Sequence, residues 1–566
     1  MRRELTNRRE FLVRAGVVVA GVAATPSVFA NKSAAAAAIT ADPGAGKKTI
    51  RGLMVDAARV PEPAAYYKRV IEFCSDWELN TLQFRLTDDQ GSAMRFTSVP
   101  DLVTHNHAFT AEELKSLVEY GQGHGVELIP EVESFGHTGY ITRSPAYAHL
   151  LDRDAAGDAE FTGIIPVNPE ALALFGKLFR EVAAIFPSTY LHAGCDEVNW
   201  GGSLLSRKAL QAKGRARVWA EYLNALNEIS TGLGKELIVW GDFVLHKEPA
   251  ILSQLNKKII IMDWNYSDNS SARFLEALQK VSANGSRGIG APALSCYKWG
   301  ARVGTEQLRN IDACVDGYST TNDSNALGVI VTNWVPSRYL QNSIWDGFAY
   351  AAVALKDGTA TAQTSAFRRF VERHYRAEWN VLWDEVFRAV YDQAPYIKDR
   401  ETSSWMGLLL PVPWSDDKQL SALLKGPSPR SNPFTQIRSL LVQLEPLVMT
   451  NFADFQSFAL SVEYLERMFW RETVVIQLAA KKPLQREATD ALIQTIAERD
   501  RDMADALTRD WNGSRFPDAG AKREPVVDLE PKDQLHYQWD RATAYSASLA
   551  SHPDRFYQLM QAASGL

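Results

Sequence analysis

From residue 50 to about residue 335, short β-rich runs alternate with longer stretches in which apolar positions recur at helical spacing. The runs are residues 52–56, 81–86, 126–131, 190–194, 236–240, 258–263, 291–295 and 328–334. Ile259-Ile260-Ile261-Met262 and Val329-Ile330-Val331 are apolar without alternation, as strands buried on both faces are. Between the runs lie amphipathic segments such as 64–77, 111–123, 169–186, 205–233 and 271–283. Two of them open on helix-starting signals. In Thr110-Ala111-Glu112-Glu113 and Asn168-Pro169-Glu170 a capping side chain stands before Pro or acids of the first turn. Eight such β–α units predict a (β/α)8 TIM barrel over residues 49–364. The competing arrangement, an open doubly wound sheet, wants a Gly-rich phosphate loop after the first strand. Asp56-Ala57-Ala58-Arg59 is not one.

After about residue 365 the pattern changes to helical periodicity alone, at 367–378, 380–388, 434–448, 455–480 and 486–507. Residues 365–566 are therefore expected to form an all-helical C-terminal domain, packed on the barrel and structural in role. At the other end, Arg8-Arg9-Glu10-Phe11-Leu12 precedes an apolar run over 15–24 and a small-residue exit at Val28-Phe29-Ala30. This predicts a twin-arginine-type signal peptide over residues 1–30, then a flexible spacer over 31–48. The alternative, a membrane anchor, wants about 20 apolar residues, more than the run provides. The mature chain is expected to have no membrane span and to be exported, to the periplasm or beyond.

Composition narrows the function classes. Hydrophobic residues make up 46% of the 566, enough apolar surface to exclude a disordered chain. The 61 Lys and Arg against 67 Asp and Glu leave a charge of −6, which argues against a nucleic-acid partner. Four cysteines without a C-x-x-C pair are too few for a disulfide framework. His105 and His107 form H-x-H with no third ligand at zinc spacing, so neither a metal nor another cofactor is expected. The 15 Trp and 19 Tyr are a surplus, either core mass or flat walls for a ring-shaped ligand.

In a barrel of this class the functional side chains project from the C-terminal ends of the strands. Those ends carry Asp56 and Arg59, Asp88 and Asp89, Glu131, Glu133 and His137, then His192, Asp196 and Glu197. They continue with Trp240 and Asp242, Asp263, Trp264, Asn265 and Tyr266, Tyr297 and Trp299, and Trp334. Carboxylates and aromatic rings suit a neutral sugar, whose hydroxyls donate to the acids while its C–H faces stack. Glycoside hydrolysis generally uses two carboxyl groups, one of which protonates the leaving oxygen. On a sugar with a 2-acetamido group, the adjacent Asp196 and Glu197 can divide the work. The substrate's own amide oxygen attacks, Asp196 holds that amide, and Glu197 donates the proton.

The motif around this pair is specific. His192-Ala193-Gly194-Cys195-Asp196-Glu197 resembles the H-x-G-G-D-E motif of glycoside hydrolase family 20, the β-N-acetylhexosaminidases. Arg51-Gly52-Leu53-Met54-Val55-Asp56, Leu86-Thr87-Asp88-Asp89-Gln90-Gly91 and Pro130-Glu131-Val132-Glu133-Ser134-Phe135-Gly136-His137 match the same family, in order. With Cys195 replacing a glycine, the chain looks most like the divergent branch that includes hexosaminidase D. The resemblance implies an exo-acting, retaining, substrate-assisted enzyme. It would remove terminal β-linked GlcNAc or GalNAc from a glycan through an oxazoline-type intermediate. It further implies Asp196 as the acetamide-orienting residue and Glu197 as general acid/base. Arg51 would bind the O3 and O4 hydroxyls, and His137 with Glu133 would form a relay beside the acid. Asp88 or Asp89 would support that relay. Trp240 and Trp334 would wall the acetamido methyl, and Tyr297 would donate to the amide oxygen, with Tyr266 as a weaker candidate. Trp264 and Trp299 complete the expected aromatic wall; Trp299 and Trp345 fit core packing equally well. Trp299 and Pro336 stand where family members carry acids that read O4 and O6, which motivates an alternative, a non-catalytic carbohydrate-binding protein on a decayed barrel.

Overall fold

The computed structural model describes residues 49–153, 163–295, 304–319, 323–392, 420–421, 424, 434–517 and 535–564. The signal and spacer segments, residues 1–30 and 31–48, lie outside them. Eight parallel strands close a barrel: β1 (Ile50–Asp56), β2 (Thr81–Arg85), β3 (Glu127–Glu131), β4 (Tyr190–His192), β5 (Glu236–Trp240), β6 (Ile260–Trp264), β7 (Arg287–Ala291) and β8 (Ala326–Asn333). β1 pairs with both β2 and β8, which completes the ring.

Helices follow most strands, as the periodicity requires. They are Ala64–Asp76, Ala111–Gly123, Pro169–Ile185, Arg215–Gly232, Ser271–Ala283, Thr305–Ser319 and Trp345–Asp357, while β5 is followed by a short turn, Pro249–Gln254. Thr110 and Glu113 form a reciprocal capping box, and the Asn168 side chain accepts from Glu170 N–H. Two expectations are corrected. The single helix expected over 205–233 is two, Leu204–Lys213 and Arg215–Gly232, because Gly214 adopts φ +78 between them. The seventh strand lies four residues earlier than the run at 291–295. Gly288 and Gly290 hide its β character, since they are there to let Tyr318 and Cys314 pack close. Ala293–Ser295 instead adds a short segment beside β8.

Alternation within the strands separates two apolar layers. Met54, Ile129, Ile238, Met262, Ile289 and Ile330 fill the barrel. Leu53, Val55, Leu82, Val239 and Val331 face the helices and join a larger core. Past Thr359–Phe370 the chain is helical in Val381–Asp392, Phe434–Leu444, Phe452–Ala479, Arg486–Ser514, Leu535–Ser551 and Pro553–Ser564. Trp383, Phe455, Leu507 and Trp539 of this region are continuous with the barrel core. Trp345 is core too, packed against Phe73 and stacked on His374. Cys74, Cys195 and Cys314 are free, and Cys296 lies outside the described residues. Among the described residues no helix is long and apolar enough to cross a membrane.

Barrel closure depends on Gly328, which has φ +134 and whose absent Cβ would stand 2.0 Å from Ile50 O. Gly328→Ala is expected to lose at least about 2 kcal/mol of stability, read as a lower urea midpoint. Gly123→Ala, with nothing within 4 Å of the added carbon, should change it by less than about 1 kcal/mol.

Candidate active site

The strand register builds a charged layer at the C-terminal mouth. Asp56 pairs with Arg85, Arg85 with Glu131, and Glu131 with His192, so all four side chains share one face. Arg85 is wholly buried. Its Nη1 meets Glu131 Oε1 at 2.7 Å and Glu133 Oε1 at 2.6 Å, and its Nη2 meets Asp88 Oδ2 at 2.6 Å. Asp56 Oδ1 stands 3.9 Å from Nε. Burial alone would raise the Asp88 carboxyl, but Arg59, Arg85 and His137 hold it below the usual carboxylate range. Burial does push Glu133 up, against the pull of Arg85. Burial also pushes the His192 imidazole down to about 4, so it is neutral at pH 7.

Above this layer the chain leaves β4 through an unusual turn. Gly194, Cys195 and Glu197 have φ of +65, +76 and +44. A Cβ on Gly194 would meet Glu133 Oε2 at 1.9 Å, and that oxygen accepts the Cys195 N–H at 3.1 Å. Left-handed non-glycine residues cost of order 1–3 kcal/mol and persist where surroundings dictate them. His137, at φ +48, is another. Its loop abuts the turn so closely that a Cβ on Gly136 would lie 2.0 Å from Asp196 O.

His137 therefore stands between two pairs of acids. Its Nδ1 is 3.3 Å from Asp89 Oδ2 and 3.7 Å from Asp88 Oδ2; its Nε2 is 3.2 Å from Glu197 Oε2 and 3.9 Å from Asp196 Oδ1. Burial works against its charge, yet Asp88, Asp196, Asp89 and Glu197 raise its pKa well above the ordinary value. It is an imidazolium at neutral pH. Burial would raise Glu197, but the hydrogen bond and charge of His137 lower it, so Glu197 is a carboxylate. Asp196, 6% exposed, is pushed up to about 6, chiefly by desolvation, with Glu197 and Asp242 adding to the shift and His137 and Arg85 opposing it.

These groups open on a cavity of about 370 Å³ lined by Arg59, Asp196, Glu197, Asp242, His246, Lys247, Trp264, Asn265, Tyr266, Ser267, Arg273, Trp334 and Val335. Trp264 stacks on Tyr266 at 5.0 Å and 30°, and Trp334 Nε1 donates to Tyr266 Oη at 2.7 Å. Arg59 binds Asp56 at 2.8 Å and Asp88 at 3.1 Å with its guanidinium 5.4 Å over Trp334. Asp242 Oδ2 accepts the Glu197 N–H at 3.2 Å and Lys247 Nζ at 3.0 Å.

The cavity thus gathers Asp196, Glu197, Trp264, Tyr266 and Trp334, with His137 bridging the acids. Asp89 is the nearer of the two aspartates to His137. Glu133 meets Arg85 Nη1 and accepts the Cys195 N–H. Trp240, 1% exposed, lies beneath the wall, tilted 5.6 Å from Trp334, and donates to Glu131 Oε1 at 3.0 Å. Tyr297 and Trp299 fall within 296–303, outside the described residues. Arg51 must be corrected. It begins β1, at the opposite end of the barrel, and its guanidinium donates to the Glu78 carbonyl at 3.1 and 3.3 Å. Arg59, eight positions on and just past the strand's C-terminal end, is the β1-side arginine that lines the cavity. The rule that function sits at strand ends points to Arg59. Asp242 is among the strand-end residues too, whereas Arg85 and Lys247 carry no such signal: Arg85 is partnered across strands, and Lys247 lies in the segment Asp242–Lys247 past β5.

Donor atoms of Asp88, Asp89 and His137, and of His137, Asp196 and Glu197, lie within 4.8 Å of one another.

An acid pair under an aromatic wall, at the C-terminal mouth of a (β/α)8 barrel, is a site of the glycosidase class. The sequence comparison agrees: the glycosyl hydrolase family 20 catalytic domain matches residues 49–334, half of the chain, and the chain belongs to that family. A beta-hexosaminidase of Akkermansia muciniphila is 32% identical over 169 residues, 26% of this chain and 34% of its own. Beta-hexosaminidase subunit beta of Mus musculus is 25% identical over 268 residues, 44% and 46% of the two chains. The chain thus spans between a third and a half of these curated relatives. Among solved structures, a beta-N-acetylhexosaminidase matches at 19% identity and TM-score 0.47, covering 59% of this chain and 79% of its own. The GH20 exo beta-N-acetylglucosaminidase of Vibrio harveyi matches at 20% and 0.42, covering 56% and 54%.

The raised Asp196 pKa has a stability consequence. A folded state that binds this proton more tightly than the unfolded chain is fully supported below pH 4, and loses stability as pH rises toward 6. Asp196→Asn is expected to be more stable than the wild type above pH 6, by up to about 3 kcal/mol, and no more stable at pH 4. Urea unfolding at pH 4 and pH 7.5 measures both arms.

Proposed function

We propose that this chain is an exo-acting β-N-acetylhexosaminidase that cleaves terminal β-linked GlcNAc or GalNAc with retention, using the substrate's own acetamide as nucleophile. The observation that carries the reading is the His137-bridged pair Asp196 and Glu197 beneath Trp334. The cavity-lining carboxyls are Asp196, Glu197 and Asp242, and Asp242 is tied to Lys247 and the Glu197 N–H. That favours a nucleophile brought by the sugar over one from the protein.

In the empty site the shared proton rests on His137. The Glu197 side chain is 32% exposed, and a bound sugar strips its water, which raises its affinity for a proton. The proton then passes from His137 Nε2 to Glu197 Oε2, and on to the glycosidic oxygen as the C–O bond breaks. The amide oxygen attacks the anomeric carbon from the other face, while Asp196 accepts the amide N–H and stabilises the charge that develops there. Trp334, Trp264 and Tyr266 supply the flat wall, and Arg59 offers donors to ring hydroxyls. Tyr297 is proposed, from the motif order, as a further donor to the amide oxygen. Water next opens the oxazoline, with Glu197 as the base, and the β configuration returns. The twin-arginine-type segment supports the further proposal that the enzyme acts outside the cytoplasm on exported or extracellular glycans.

Aryl β-GlcNAc and aryl β-GalNAc test the reading directly: chromophore release from at least one at pH 4–8 is expected, and folded protein that turns over neither sinks it. Glu197→Gln should lower turnover by about 10³-fold or more while GlcNAc still binds. A decayed binding barrel would have no turnover to lose. A thiazoline analogue of the oxazoline should inhibit; a trapped covalent glycosyl-enzyme would instead show a protein nucleophile.

A further inference from the structure

Past helix Arg486–Ser514 of the C-terminal region, Arg515 reaches the loops after β1 and β8, both of which carry cavity residues. The Arg515 side chain is wholly buried. Its Nε donates to Glu62 Oε1 at 2.8 Å, in the loop after β1, and its Nη1 donates to the Tyr339 carbonyl at 2.8 Å, in the loop after β8. Glu62 Oε2 accepts Gln341 Nε2 at 2.8 Å, which joins the same two loops a second time. Trp511 lies 4.1 Å from the guanidinium and Tyr339 5.6 Å. The next residue, Phe516, stacks on His107 at 3.9 Å and 6°. His107 lies in a short strand outside the barrel, Thr104–Phe109, and two positions earlier on it His105 Nε2 contacts the Ala58 carbonyl at 2.6 Å. The H-x-H pair thus links the C-terminal region to the residue preceding Arg59.

Both loops carry cavity residues. The β1 loop presents Arg59, and the β8 loop presents Trp334 and Val335. Asn333, just before Trp334, donates to Tyr339 Oη at 2.6 Å, while Val335 N–H reaches Asp56 Oδ2 at 3.3 Å from a left-handed φ of +53. A strained residue of this kind holds its shape only when neighbours fix it. A buried ion pair is a poor source of net stability compared with apolar packing, because both charges lose their water. What it supplies is a single allowed geometry.

We propose that Arg515 and Phe516 are positioning residues of the sugar site: the helical region sets Arg59 and Trp334 relative to one another, through Glu62, Tyr339 and the His105–His107 strand. This deepens the glycosidase reading, on which it rests for what the two side chains bind.

The test uses the whole purified chain. Arg515→Met is expected to raise KM for aryl β-GlcNAc about tenfold while kcat changes less than about threefold, because sugar placement suffers and the acid pair does not. Arg515→Lys, which keeps the charge without the fork, should recover part of the loss. Hydrogen exchange gives a readout independent of turnover: peptides over 56–62 and 333–340 should exchange faster in Arg515→Met, while those over 193–198 should not. Phe516→Ala breaks only the half-buried stack, and should give a milder shift of the same pattern if the arginine variant fails to fold. An unchanged KM, or exchange that is uniform or confined to the C-terminal helices, overturns the proposal. If the wild type turns over neither aryl sugar, the glycosidase reading falls while the exchange pattern still decides the positioning role.

Discussion

A guanidinium with no water around it must be ringed by acceptors, and Arg85 is ringed by Asp56, Asp88, Glu131 and Glu133. Much of the mouth of the barrel descends from that requirement. The ring needs β1, β2 and β3 in one register, since a slip of one residue would turn an acid outward. Glu133, drawn in by Arg85, occupies the space where a side chain on residue 194 would be, so that position must be glycine. The same carboxylate takes the Cys195 N–H and fixes the turn that presents Asp196 and Glu197. Trp334 lies 4.9 Å from the guanidinium on its other side, so floor and wall share one anchor.

Two neighbouring carboxyls would ordinarily titrate alike, and here they are driven apart. Glu197 faces the imidazolium at 3.2 Å and keeps its charge; Asp196 is deeper, 3.9 Å from the same ring, and its pKa climbs to about 6. Different environments thus give two adjacent acids different affinities for a proton. His137 sets that difference because Asp88 and Asp89 hold it charged from behind. The acids of β2 thereby act on those of β4 through a single ring.

The eight-strand order and most helix positions were legible in apolar period, because buried parallel strands and amphipathic helices differ so plainly. Where the pattern misleads, a close contact puts glycine in place of an apolar residue, as at Gly288 and Gly290 of β7, or a left-handed glycine breaks a helix, as at Gly214. Motif order names Asp196, Glu197 and His137, and the structure brings these three side chains together. It misleads at Arg51, a conspicuous arginine at the start of the strand, while Arg59, past the strand's end, lines the cavity. Arg85 stays hidden for another reason: its partners come from neighbouring strands and cannot be seen along the chain. Trp240 read as wall and proved to be support, because the period of a strand fixes which way a ring points but not how much covers it.

Arg515 and Glu62 stand 453 residues apart in the chain yet share a buried hydrogen bond. Contacts this distant in sequence are entropically late, forming after local strand and helix pairings have shortened the loop between their ends. A polypeptide emerging from the ribosome holds all eight strands well before it holds residue 515. Closing the barrel and completing its mouth are therefore separate events in the life of one chain, and the second waits until synthesis has run well past the last barrel strand.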